Sequence, residues 1–428
     1  MSVGARSLRV AILTDIGQAA YHVGDEAMAH GAVHQLATLR GVTDIVLLTR
    51  DHQQTQAHFG SSITTARTLE FPWAPQDRQR YLREIKDVLR GDPGVLPPED
   101  QVFGVIETIR SVDALLIAGG GNMNSTYGWL LYERAAIAHI ARALGKQVVI
   151  SGQTLGPALS TPDRAVLREL LADAELVGLR EEASFALAQE LCPRHSGLRR
   201  SLDDATVLPP PASPVHPEPG FIAATFSGET GGHPADQTAI AYARLLDQVA
   251  SATGHRVVFL PHMAHPGADD GDEAIHAVVA SHMSAAHDLL PIASALETAA
   301  LTAAADLVVT SRYHPTVFAC GAGRPTLGIA PNAYTDLRIG GALLTWGIRR
   351  TTLPLADVIS GVMVDALLAS FKDDSAHLSE TLAATFARHA RWWDSVVDTL
   401  ESRRGLLRYA LRHWLRRQRA SLGRLRRR

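Results

Sequence analysis

The sequence predicts an α/β protein: two doubly wound parallel-sheet domains facing across a cleft in a GT-B-like arrangement, with a C-terminal helical basic tail. Three observations carry this expectation. Short apolar runs alternate with amphipathic stretches of helical length, the pattern of a parallel sheet covered by helices on both faces. The alternation breaks once, at the proline-rich "LPPPASPVHPEPG" of residues 208–220, and then restarts. The chain has 428 residues, too many for one typical core.

In the first half, "LRVAILTD" reads as a strand, followed by a glycine-bearing loop and a helix from about Gly24 to Leu39. "DIVLLT" is a second strand. "RQRYLREIKDVLR" and "DQVFGVIETIR" are amphipathic helices around the loop "GDPGVLPP", in what reads as an insertion. "DALLIAGGG" runs from a strand into a glycine turn, and "LLYERAAIAHIARALG" is a helix ending at Gly145. "QVVISGQTLGP" is a strand and loop, "PDRAVLRELLAD" a helix, and "ELVGLRE" a further strand. Beyond the semi-rigid linker, "FIAATFS", "RVVFLPH", "DLVVTS" and "PTLGIA" read as strands. Helices lie between them, and two more near 355–370 and 376–402 close the chain. The expected division is 1–207 as an acceptor-side domain, 208–220 as linker, 221–370 as a donor-side domain, 371–402 as a closing helix and 403–428 as the tail.

Composition bounds the function. Apolar content of 46% with 20% charged residues is that of a soluble globular protein. Two cysteines, Cys192 and Cys320, without metal-ligand spacing, fit a reducing compartment. The first apolar run is too short for a signal peptide, and no apolar stretch reaches the roughly 20 residues of a spanning helix. A cytoplasmic protein is expected. Residues 401–428 hold eleven arginines against one glutamate, so a chain of net charge −3 carries +10 there and −13 over residues 1–400. Leu407, Ala410, Leu411 and Trp414 fall at helical spacing among those arginines. Such a segment fits an anionic membrane surface, which would place the protein peripherally at the inner face, and a plain solvated tail is the competing reading. An acidic body disfavours nucleic acid.

Five loops carry candidate chemistry. "VVTSRYHPT" (308–316) puts Arg312 and His314 two residues apart at the end of a strand, where an extended backbone turns both to one side. A five-donor cation beside a group titrating near neutrality points to an anionic substrate and a proton transfer. A surface arginine and a capping histidine are the bland alternative. In "VGDEAM", Asp25 and Glu26 sit where a helix begins; they either cap it or act on a substrate hydroxyl. In "AGGGNM", Gly119, Gly120, Gly121 and Asn122 follow a strand, and their amides at a helix start suit an anion or a sugar. The spacing is neither a dinucleotide fingerprint nor a phosphate loop. "GLREEAS" places Arg180 at a strand end before an acidic helix start, where a surface ion pair with Glu181 or Glu182 is the bland alternative. The loop "PHMAHPGADDGDE", with His262, has histidines and acids but no metal-site spacing, so no metal is expected.

In their order, "VGDEAM", "AGGGNM", "SGQTLGP", "GLREEASFALAQ", "LDDATVL" and "SRYHPTVFACGAGRPTLGIA" resemble the polysaccharide pyruvyl transferase family over roughly residues 8–345. The resemblance implies a two-domain GT-B-type fold and transfer of the enolpyruvyl group of phosphoenolpyruvate onto sugar hydroxyls of a cell-surface glycan or a lipid-linked precursor, forming a pyruvate ketal. It needs no cofactor beyond that donor. It matches the family's R-x-H pair to Arg312 and His314, and the arginine before the acidic helix start to Arg180. Arg180 and Arg312 would then clamp the carboxylate and phosphate, and His314 would protonate the methylene carbon. Asp25 or Glu26 would orient the acceptor hydroxyl. Asp204 is matched through "LDDA", where the family more often has D-P-A, and His262 joins it as a further candidate. "SRYHP" likewise stands where R-L-H-A is more usual. A nucleotide-sugar glycosyltransferase of the same architecture and a catalytically silent glycan-binding protein are the competing readings.

Overall fold

The computed structural model describes residues 8–38, 42–60, 63–213, 218–265, 271–348, 352–361 and 364–402; the basic tail expected at 403–428 lies outside them. The first half holds strands β1 (Leu8–Leu13), β2 (Tyr21–His22), β3 (Val42–Thr49), β4 (Thr64–Arg67), β5 (Ala114–Ile117), β6 (Gly120–Met123), β7 (Gln147–Leu155), β8 (Leu176–Leu179) and β9 (Leu198–Arg200). All but β2 form a parallel sheet in the order β4-β3-β1-β5-β7-β8-β9, with β6 also pairing β7. The second half holds β10 (Phe221–Thr225), β11 (Arg256–Phe259), β12 (Met263–Ala264), β13 (His287–Leu289), β14 (Leu307–Thr310), β15 (Thr326–Ala330) and β16 (Leu353–Pro354). Without β12 these make a second parallel sheet, β13-β11-β10-β14-β15-β16.

The central strands are continuous apolar runs because both their faces are covered. Along β1, Ala11 and Leu13 join the core beneath the helices Pro75–Arg90, Gln101–Ser111 and Gly128–Ala143, while Val10 and Ile12 face the opposite core. The helix Val23–Thr38 contributes Ala29, Ala32 and Leu36 to that opposite core. The second sheet is covered by the helix Ala235–Thr253, whose Tyr242 stacks on Phe226 at 4.0 Å.

Two features join the halves. β2 pairs antiparallel with β12, and Val23 donates its amide to the His262 carbonyl at 3.0 Å. The last helix, Val364–Glu401, starts on the second half with Phe371 in its core. It ends under the first half, burying Trp392, Trp393, Val396 and Leu400. Trp392 Nε1 donates to Ser151 Oγ at 3.1 Å, and Gln147 Nε2 to the Ser402 carbonyl at 2.8 Å. The boundary expected between residues 370 and 371 therefore falls inside one continuous helix.

The long alternating elements fall where the periodicity places them. The short edge strands β4, β9, β13 and β16, two to four residues each, were not among the expected elements, and neither was the helix Ala333–Thr345. Such edge strands are fixed by pairing to a neighbour rather than by an apolar run of their own. Among the described residues no helix is long and apolar enough to cross a membrane.

Strand order reverses between β1 and β5 in one sheet and between β10 and β14 in the other. Crevices open beyond the carboxyl ends of the strands at such switch points, and ligands bind there in open α/β sheets.

Candidate active site

Both crevices open into one cleft of about 680 Å³, within the range of about 300–1,000 Å³ of small-molecule sites. Asp15 enters it just after β1, Gly121 and Asn122 from β6, Ser227 and Glu229 after β10, and Ser311 to His314 after β14. Gly24 and Asp25 come from the first helix, and Tyr334 and Arg338 from the helix Ala333–Thr345.

Arg312 and His314 both line this cleft, by a route the extended reading did not contain. The strand stops at Thr310, Arg312 is the N-cap with extended backbone, and a helix begins at Tyr313. Thr310 Oγ1 accepts the Arg312 amide at 2.8 Å, which turns the chain at this point. Arg312 pairs with fully buried Asp272, whose other oxygen accepts the amides of His262 at 2.8 Å and Met263 at 3.1 Å. Its Nε has no partner. His314 is 8% exposed, and its Nε2 has no hydrogen-bond partner, standing 3.8 Å from Asp203 Oδ2. Burial, then the charges of Arg180, Arg338, His22 and Arg312, push its pKa well below the usual histidine value. At neutral pH the resting imidazole is neutral.

Asp25 faces the cleft, whereas Glu26 is buried away from it with Oε2 unpartnered. Burial and the charge of Asp15 raise the Asp25 carboxyl to about 7, against the opposing pull of Arg338, Arg134 and Arg180. Burial and Asp25 raise Glu26 to about 8. Asp15 is held in place by Arg50 Nη1 at 3.1 Å and Asn122 Nδ2 at 3.0 Å. Arg50 in turn binds buried Glu133 at 2.9 Å, which also accepts from Arg134 at 3.1 Å and Thr68 at 2.6 Å. This chain of charges holds Asp15 beside Asp25, whose carboxyl is raised first by burial and then by that neighbour.

Three expectations change. Arg180 does not line the cleft: it is 2% exposed and paired to Asp203 and Glu181. Its guanidinium lies 4.2 Å from the Tyr313 ring centre. Arg338 takes the cleft position instead, 4.6 Å from the same ring, with Nε unpartnered. Gly119, Gly120 and Gly121 do not open a helix; the last two belong to β6, the next helix begins at Gly128, and none of the three has positive φ. They provide space. A Cβ on Gly119 would meet Met28 Sδ at 2.8 Å, and one on Gly121 would meet Tyr334 Oη at 2.8 Å and Arg338 Cζ at 3.1 Å. Asp204 is fully buried and accepts the Gly119 amide at 2.7 Å and the Ser151 hydroxyl, so it anchors that strand turn. Its neighbour Asp203 is the carboxylate beside His314.

His262 lines the cleft with Nε2 unpartnered, and burial followed by the Arg312 charge holds its pKa well below the usual value. His22 also lines it, brought there by the β2–β12 pairing, with its pKa lowered to about 4 by burial and then Arg312. Arg338, Tyr313, His22, Asp15 and Asp203 were not singled out from the sequence. Among the described residues no group of three or more His, Cys, Asp or Glu is placed to hold a metal ion.

A Listeria monocytogenes protein assigned as a UDP-N-acetylglucosamine 2-epimerase superposes with a TM-score of 0.60 at 11% identity, over 92% of this chain and 96% of that one. The UDP-GlcNAc 2-epimerase of Neisseria meningitidis, solved bound to UDP-GlcNAc, gives 0.55 at 10% identity over 92% and 99%. At such identities the likeness is one of fold, and it establishes the GT-B-like architecture. No curated protein sequence matches. The family model for polysaccharide pyruvyl transferase matches residues 22–332, a span that includes Asp25, Asn122, Arg180, Arg312 and His314. The chain belongs to the polysaccharide pyruvyl transferase family and is a glycan-modifying transferase.

Proposed function

We propose that the protein transfers the enolpyruvyl group of phosphoenolpyruvate to two hydroxyls of a sugar in a cell-surface glycan or its precursor, closing a pyruvate ketal. One observation carries the reading beyond family membership: Arg312 and Arg338, from separate elements, face the same cleft as His314 and Asp25. Two guanidiniums suit a donor with a carboxylate and a phosphate, each held by paired charge-assisted hydrogen bonds. Arg180 supports this clamp from behind Tyr313.

In the proposed reaction, the anionic donor neutralises the cations that keep His314 uncharged, so the imidazole gains a proton as the donor binds. His314 passes that proton to the methylene carbon, which becomes a methyl, and the central carbon gains oxocarbenium character. An acceptor hydroxyl attacks this carbon, giving its proton to Asp25. The carbon–oxygen bond to phosphate breaks, and a second hydroxyl closes the ketal. The proton held by Asp25 is released to solvent and balances the one His314 took up, and the proton of the second hydroxyl leaves with phosphate. A carboxyl near 7 suits proton transfer at neutral pH.

Calorimetric titration with phosphoenolpyruvate on the intact protein, Arg312→Ala and Arg338→Ala tests the donor. Binding that both variants weaken supports it. Binding of a nucleotide sugar instead, in a panel run alongside, replaces it with glycosyl transfer. Absence of both points to a glycan-binding protein. The eleven arginines of residues 401–428 support a further part of this proposal, contact with an anionic membrane surface that carries lipid-linked acceptors. Deleting residues 403–428 then lowers sedimentation with anionic vesicles, and unchanged sedimentation removes the membrane role.

A further inference from the structure

A line of aromatic rings leads out of the cleft. Tyr334 and Tyr127 are 6.1 Å apart between ring centres, Tyr127 and Trp129 5.8 Å, and Trp129 stacks on Trp73 at 3.9 Å with 23° between their planes. The first three line the cleft. Trp73 lies beyond it and is 72% exposed. One of its faces is covered by Trp129, so the exposed area lies on the face turned away.

Among the described residues Trp73 is the most exposed of the large apolar side chains, ahead of Leu344 at 53%. This ring is not part of a broad apolar patch. Its exposed neighbours are Ala74, Pro75 and Gln76, after which Arg80 and Asp77 form a surface ion pair. One large ring with only Ala74 and Pro75 as small apolar neighbours does not match the contiguous apolar area of a protein interface. It does match the apolar C–H face of a pyranose, whose rim of hydroxyls stays in water. Thr126, Glu229 and Asn332 line the adjoining cleft and offer hydrogen-bond partners to such hydroxyls.

We propose that Trp73, backed by Trp129, forms a subsite for a second sugar ring of the acceptor, so that the protein takes oligosaccharide rather than monosaccharide acceptors. This rests on the glycan-acceptor reading above. The ring that receives the ketal lies at Asp25, and a further ring of the acceptor stacks on the free face of Trp73.

The test is a binding series on the full chain. The probes are mono-, di- and tetrasaccharides with glucose, galactose, mannose or N-acetylhexosamine termini, read by calorimetry and tryptophan fluorescence. At least one series should bind 10-fold or more tighter on lengthening from the monosaccharide to the tetrasaccharide. Trp73→Ala should erase that gain, and Trp73→Phe should restore part of it. Affinity independent of length, a gain that Trp73→Ala retains, absence of binding across the panel, or a Trp73-dependent response to nucleotides alone would each overturn the subsite. Phosphoenolpyruvate titrated into the same proteins keeps the two readings separate. Donor binding unchanged by Trp73→Ala, with no length effect, sinks the subsite only. A length effect without donor binding leaves the subsite standing and removes the donor.

Discussion

Gly24 abuts the imidazole of His314: a Cβ on Gly24 would stand 1.8 Å from Nδ1 and 2.3 Å from Cε1. The contact ties the start of the first helix, in one half, to the start of the helix Tyr313–Gly321 in the other. It makes the position of His314 depend on the closeness of the two halves.

Gly24→Ala therefore displaces the ring. Overpacking of this kind costs about 1–3 kcal/mol of stability. A displaced acid should lower turnover by roughly 100-fold or more, while Arg312 and Arg338 still bind the donor. Steady-state kinetics beside donor calorimetry checks this; turnover within threefold of the parent protein would show that the contact does not position the acid.

His314 gives a signature of its own. Its resting pKa lies well below the histidine value because of burial and four neighbouring cationic or titratable groups. A bound polyanion raises it, so at neutral pH donor binding takes up a proton, and affinity rises as pH falls. Calorimetry in buffers of different ionisation enthalpy measures the uptake. His314→Gln should bind the donor with less uptake and lose turnover by roughly 100-fold or more. Equal uptake in both proteins would place the proton elsewhere.

Arg180 and Arg338 touch the same Tyr313 ring and should fail differently. Arg338→Ala removes a cleft cation and should weaken donor binding roughly 10- to 100-fold with little change in thermal midpoint. Arg180→Ala leaves Asp203 and Glu181 buried without their cation, a loss of about 3–5 kcal/mol. Its midpoint should drop by several degrees. A thermal shift for Arg338→Ala as large as that for Arg180→Ala would mean that Arg338 too is structural.

These contrasts mark what the sequence could carry. Arg312, His314 and Asp25 were legible because each follows a strand or opens a helix beside a strand end, and doubly wound sheets bring such ends together. Arg338 lies inside "YTDLRIGG", away from any strand end; its place depends on how a helix from one half leans on Gly121 of the other. His22 was illegible because a two-residue strand has no pattern of its own and exists through its pairing with Met263 and Ala264. Between Asp203 and Asp204 the chain turns over, so adjacent identical residues have opposite duties. Asp203 caps the short turn at 204–206 and meets Arg180, while Asp204 points back to Gly119. Residue type gave no means of telling them apart.

Asp25 joins activity to stability. Its carboxyl titrates near 7 in the folded protein, against 3.8 ordinarily, because of burial and the Asp15 charge. A carboxyl raised on folding favours the folded state most below its unfolded pKa. That contribution is lost as pH rises through the folded value. Between pH 4.5 and pH 8 the parent protein thus loses stability at this site, and Asp25→Asn, which cannot ionise, does not. The variant's thermal midpoint, relative to the parent, should be higher at pH 8 than at pH 4.5. In the proposed role the ionised form is the base once His314 carries its proton in the donor complex, so kcat of the parent rises with pH as Asp25 ionises, and Asp25→Asn should lack that limb and fall roughly 100-fold. A midpoint difference independent of pH would contradict the raised carboxyl. A limb that persists in the variant would move the base to another group, and Asp15, held at the cleft by Arg50 and Asn122, would be the next to replace.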